Sequence, residues 1–138
     1  MTEAVLDASV ILKWFTAEQR GSAEAGQLRC EYEAGRLTVV APSLLFLELL
    51  NVAGRRWRWS EDALLELVVA LEELSFEVGE PDLPSVAAWV ARGLTAYDAV
   101  YVALAEDRGF PLVTDDETIL ELAPEVGLPL VEAAPSAG

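Results

Sequence analysis

Five short apolar runs punctuate this chain, and each is separated from the next by a stretch with helical spacing. They are "AVLDAS" at 4–9, "LTVVA" at 37–41, "FEV" at 76–78, "PLVT" at 111–114 and "LPLVE" at 128–132. Such runs are too short for buried helices and read as strands covered on both faces. The intervening sequence predicts helices over 9–16, 19–34, 42–57, 60–74, 85–93, 96–108 and 117–122. Their punctuation is conventional: Gly35 and Gly109 at ends, Ser60 as a cap, Glu61 and Asp62 in the turn that follows it. Strands alternating with helices imply an α/β fold, a central parallel sheet of about five short strands with helices on both faces. The 138 residues leave room for one core. A single domain over 1–133 is expected, followed by a frayed tail at 134–138.

Composition removes most chemistries. There is no histidine and only one cysteine, Cys30, so histidine triads, thiol–imidazole pairs, cysteine-rich zinc sites and disulfide frameworks are all excluded. Nine basic against 24 acidic residues give a net charge of −15, which repels phosphate unless cations intervene. A hydrophobic fraction of 53% rules out disorder, yet no apolar run approaches a membrane span and no basic-then-apolar leader opens the chain. A cytoplasmic protein without membrane contact is expected, and so much apolar surface on a small acidic domain predicts burial against a partner or a second copy.

The candidate chemistry lies in the carboxylates. In a parallel sheet the ligand crevice opens beyond the carboxyl ends of the strands. Asp7 ends the first run, Asp115 and Asp116 follow the fourth, and Asp98 opens the helix before it. Glu48 stands in "SLLFLELLNVA", a helix expected to be buried most of the way round. Each acid also has a local explanation. Asp7, Asp98, Asp115 and Asp116 fit helix starts, with Thr95 three residues before Asp98 in a capping-box pattern, and Glu48 can pair with Asn51 or Arg55 along its own helix. As a set they would converge on one rim, where like charges 4 Å apart repel by roughly 4 kcal/mol at an effective dielectric near 20. Such a cluster takes up protons or recruits a cation, and an all-oxygen donor set selects Mg²⁺ or Mn²⁺.

These residues resemble a known family, the PIN-domain ribonucleases, and within it the VapC-type toxins of prokaryotic toxin–antitoxin pairs. "VLDASVILKWF" resembles the opening motif, with its acid at Asp7 and a hydroxyl at Ser9; "PSLLFLELLN" resembles the second, with Glu48 and Asn51. "LTAYDAVYVALAE" places the third acid at Asp98, and "FPLVTDDETI" carries a Thr-x-Asp pattern ending at Asp116, with Asp115 in its middle. The resemblance implies a Mg²⁺- or Mn²⁺-dependent endoribonuclease hydrolysing RNA through a metal-activated water. Asp7, Glu48, Asp98 and Asp116 would bind the metal, Ser9, Asn51 and Thr114 would hold those carboxylates, and Asp115 would assist or merely sit nearby. It also implies a homodimer and a small VapB-type antitoxin as partner.

One stretch is basic, "GRRWRW" at 54–59, in which Arg55, Arg56 and Arg58 flank Trp57. It either holds RNA phosphates while an indole stacks on a base, or closes a helix with arginines on its dipole and tryptophans packed inward. Lys13 and Trp14 form a smaller pair of the same kind. Two other functions compete with the nuclease. One is a PIN-like metal-binding interaction module with little catalysis; the other is a phosphoryl-accepting receiver- or dehalogenase-like domain, disfavoured because the only lysine, Lys13, comes early.

Overall fold

Val39, Val40 and Ala41 alternate sides of a pleat yet are all buried, as are Ala4, Val5 and Leu6, so both faces of the sheet are covered. In the computed structural model, which describes residues 2–16 and 21–134, these runs form strands β1 (Glu3–Leu6) and β2 (Thr38–Ala41). They are joined by β3 (Glu77–Val78), β4 (Leu112–Thr114) and β5 (Gly127–Pro129) in one parallel sheet of order β3-β2-β1-β4-β5. The chain moves outward from β1 to β3, then returns to build β4 on the other side of β1. The order therefore reverses between β1 and β4, where such sheets open a crevice at their carboxyl ends. Register Val5↔Leu112 and Leu6↔Val113 brings Asp7 beside Thr114, with the Asp7 amide donating to the Val113 carbonyl at 3.3 Å.

The helices are α1 (Ala8–Leu12), α2 (Ser22–Glu33), α3 (Leu44–Asn51), α4 (Glu61–Leu74), α5 (Leu83–Ala91), α6 (Ala96–Arg108), α7 (Glu117–Leu122) and α8 (Leu130–Ala133). α6 packs against β1 and β4 with Ala99 and five consecutive residues from Tyr101 to Ala105 buried. Small residues at Ala99, Ala103 and Ala105 let it lie close to the sheet, and Thr95 caps its start.

Four expectations are corrected. The first strand stops at Leu6, because the Asp7 side chain accepts the Val10 amide and starts α1 there. The helix expected over 42–57 is α-helical only to Asn51; Val52–Arg56 widens into a π-helical turn closed by the Trp57 amide on the Val52 carbonyl. α5 begins two residues early, where Asp82 accepts the Ser85 amide at 2.8 Å ahead of Pro84. The run "LPLVE" is strand only to Pro129. Its proline turns the chain into α8, whose first residue, Leu130, is buried. Of the regions expected to be a helix start and a tail, residues 17–20 and 135–138 lie outside the described residues.

Candidate active site

Asp7 is 6% exposed, and both of its carboxylate oxygens are occupied. Oδ1 accepts from the Ser9 hydroxyl at 2.6 Å and the Val10 amide at 3.2 Å, and Oδ2 accepts from the Thr114 hydroxyl. Thr114 Oγ1 in turn accepts the Asp116 amide at 3.0 Å, while Asp116 Oδ1 caps α7 through the Ile119 amide at 2.9 Å. The local explanation of Asp7 and Asp116 thus holds, and Thr114 links the two between β1 and β4. Each caps a helix, and the same backbone geometry aims both at the β1–β4 crevice.

Glu48 reaches the crevice from α3. Its helix is less enclosed than its sequence suggests, since Leu47 is 66% exposed. Glu48 is half-buried and accepts at Oε1 from the Tyr101 hydroxyl at 2.6 Å. Asn51 is exposed and makes no side-chain hydrogen bond among the described residues, and the group that holds Glu48 there is Tyr101. Tyr101 was missed, although its spacing from Asp98 carries a signal: i and i+3 on one helix place both on the same face. Asp98 lies in the first turn of α6, its amide donating to Thr95 Oγ1 at 3.1 Å.

The electrostatics bind these side chains into one group. Burial pushes Asp7 up to about 6; hydrogen bonds from Ser9, Thr114 and Val10 oppose the shift and the charge of Asp116 adds to it. Burial also raises Glu48, with Asp98 contributing, and raises Asp98, with Asp116 contributing. The Tyr101 phenol is pushed well above its ordinary range, first by burial, then by its bond to Glu48 and the charges of Glu48, Asp7 and Asp98. Asp7 is thus coupled to Asp116, Asp116 to Asp98, and Asp98 to Glu48, a chain of repulsions between the starts of α1, α7 and α6 and the middle of α3. Among the described residues none of the four forms an ion pair with a lysine or arginine.

Their chemistry fits a hard divalent cation: oxygen donors only, mutually repelling, with no lysine or arginine paired to them among the described residues. Their present geometry is not yet a coordination sphere. Among the described residues no three acidic or thiol side chains are gathered closely enough to hold a metal together. Asp7, Glu48 and Asp116 each spend an oxygen on a protein partner instead. Asp115 stands apart, its Oδ2 3.2 Å from Lys13 Nζ and its Oδ1 accepting the Leu130 amide at 3.4 Å.

In the basic stretch the indoles take the packed-inward alternative and the arginines stay exposed. Arg55, Arg56 and Arg58 are exposed, with no ion pair among the described residues, while Trp57 and Trp59 pack on the core with ring centres 5.6 Å apart. Trp14 is buried against Tyr32 and Phe76, so it offers no stacking surface. A cavity of about 640 Å³ lined by Tyr32, Glu33, Ala70 and Leu74 includes none of the four carboxylates.

Comparison with known proteins places this arrangement. A family model described as the PIN domain matches residues 4–124. A search of curated proteins finds no match. Among solved structures, PAE2754 from Pyrobaculum aerophilum is 25% identical and aligns over 94% of this chain and 90% of its own, with a TM-score of 0.67. VapC20 from Mycobacterium tuberculosis, described as a sarcin-ricin loop cleaving toxin, is 14% identical over 96% and 99%, TM-score 0.69. A chain of a toxin–antitoxin complex from Klebsiella pneumoniae is 19% identical over 91% and 96%, TM-score 0.65.

Proposed function

The chain belongs to the PIN-domain family, and from that premise we propose that it is a Mg²⁺- or Mn²⁺-dependent endoribonuclease, the toxin of a VapBC-type pair. The observation that carries this reading is the meeting of acids from separate elements beside β1 and β4, with Asp7 and Asp116 joined through Thr114, Glu48 held by Tyr101 of the helix that Asp98 opens, and no ion pair to any of the four among the described residues. A bound Mg²⁺ or Mn²⁺ would supply Lewis-acid polarisation of a phosphodiester and a water made nucleophilic at neutral pH. The four carboxylates would hold it. Ser9 and Thr114 hold Asp7 by one hydroxyl on each oxygen, so its carboxylate presents a fixed plane. Tyr101 steadies Glu48 by donating to its Oε1. The exposed Arg55, Arg56 and Arg58 would take RNA phosphates, with Trp57 beside them. A small VapB-type antitoxin and a second copy of the chain complete the proposed partners, and the fold shared with a chain of a toxin–antitoxin complex supports the first of them.

Asp7→Asn and Asp98→Asn should each abolish RNA cleavage while leaving the far-UV spectrum unchanged. In wild type the melting temperature should climb with Mn²⁺ and return with EDTA, as expected for an ion that binds only the folded chain; at a hundredfold excess over Kd that linkage is worth about 2.7 kcal/mol. Full activity in either variant would reject the assignment. A second reading, a metal-binding interaction module that cuts no RNA, has one observation on its side: Asp7, Glu48 and Asp116 are each satisfied by protein donors. It predicts the same Mn²⁺ response with no cleavage at any ionic strength.

A further inference from the structure

Lys13 is the only lysine in the chain, and its side chain is 10% exposed although it carries a charge. It sits at the end of α1, where Nζ donates to the Ser9 carbonyl at 3.3 Å and pairs with Asp115 Oδ2 at 3.2 Å. Those contacts close a ring. From Lys13 it passes through Ser9 to Asp7, across to Thr114, along the backbone to Asp115 and back to Lys13. Asp116 hangs from the same ring by its amide on Thr114. Beyond the backbone pairing of β1 with β4, the α1 segment and the β4–α7 turn are therefore joined by two side-chain contacts, one between Asp7 and Thr114 and one between Lys13 and Asp115.

Joints along the sheet hold the two segments at one line; a further joint off that line fixes their angle. We propose that the Lys13–Asp115 ion pair is a brace that fixes Asp7 relative to Asp116, so that Lys13 and Asp115 are positioning residues of the metal site without being ligands. The proposal rests on the metal-site reading above. Asp115 accepts from Lys13 at Oδ2 and from the Leu130 amide at Oδ1, which ties the brace to α8.

Geometry and plain electrostatics give opposite signs here. Removing the lysine charge near a carboxylate cluster would, by Coulomb attraction alone, tighten cation binding. Losing a brace loosens it. Replacing both partners by neutral side chains of similar shape leaves local charge unchanged and removes only the joint.

The test is Mn²⁺ titration, by electron paramagnetic resonance or calorimetry, of wild type, Asp7→Asn, Lys13→Met, Asp115→Asn and the double variant Lys13→Met/Asp115→Asn. Far-UV circular dichroism checks each fold, and Lys13→Gln replaces Lys13→Met should the latter not fold. Lys13→Met and the double variant should both bind Mn²⁺ about 10- to 100-fold more weakly than wild type, the usual cost of losing a group that orients a metal ligand. The double variant should be no weaker than the worse single one, because one joint is lost in each. Unchanged or tighter binding by Lys13→Met, or wild-type binding by the double variant, overturns the brace while leaving the metal site intact. No binding by wild type beyond that of Asp7→Asn overturns both.

Discussion

Asp7 carries the clearest consequence of placing a carboxylate in a nearly dry crevice. Its pKa in the folded chain, about 6, lies above the ordinary value of 3.8, so between those limits the native state keeps a proton that the unfolded chain has released. Stability must then fall as pH rises through that window, by about 3 kcal/mol for the full shift. Glu48 and Asp98 shift in the same direction and add to the slope. Metal-free wild type should therefore lose stability relative to Asp7→Asn between pH 4 and 6 in urea denaturation, and Mn²⁺ should cancel the loss by favouring the ionised form. Parallel curves for the two proteins would mean that Asp7 titrates normally. Asp7, Glu48, Asp98 and Asp116 were all visible in sequence because each sits in a local pattern: a strand end, a helix start or an apolar helix. Tyr101 was not, since its bond to Glu48 spans 53 residues, and its spacing from Asp98 marks the face it shares but not its partner.

Among the secondary-structure elements, the segment after α3 departs furthest from its sequence pattern. An apolar-periodic stretch predicted one helix to Trp57, but the last turn widens, and Arg58 then takes φ +58°, a conformation that favours glycine. The outcome splits the stretch by side-chain type. Trp57 and Trp59 pack on the core, and the three arginines face outward. Replacing Arg55, Arg56 and Arg58 together by alanine in an Asp7→Asn background should weaken single-stranded RNA binding uniformly across sequences. It should also flatten the dependence of log Kd on log salt by about 2, from roughly 0.7 per phosphate contact. An unchanged slope would assign these arginines to helix termination alone. At β5 the sequence misled for a simpler reason. "LPLVE" has strand composition, but Pro129 cannot extend the ladder and Leu130 finds its burial in α8.

At the scale of the molecule, 24 acidic and nine basic residues make self-repulsion a standing cost of the compact state. Monovalent salt should screen it. Raising NaCl from low to moderate concentration at fixed pH, with EDTA present, should raise the melting temperature. A fall would mean that surface pairs such as Arg108–Glu77 and Arg36–Glu31 outweigh the net charge. Mn²⁺ at constant ionic strength should add a further rise, which separates site binding from screening. Leu47, Leu83, Tyr97 and Val131 are exposed in the isolated chain, in keeping with the proposal of protein partners. Among the described residues no helix is long and apolar enough to cross a membrane.

The alternation of buried runs with amphipathic stretches determined the architecture by itself, because a strand apolar on both faces and flanked by helices has few ways to shield itself except a covered parallel sheet. The absence of histidine determined equally firmly that any chemistry would be carried by oxygen donors. Only the tertiary structure decided which donors meet and what holds them: Tyr101 rather than Asn51 on Glu48, Thr114 on Asp7, and Lys13 drawn to Asp115 across 102 residues. Those contacts depend on strand order and helix placement. A local pattern can mark a residue as polar and poised, but its partner across the sheet is set by where the chain crosses over.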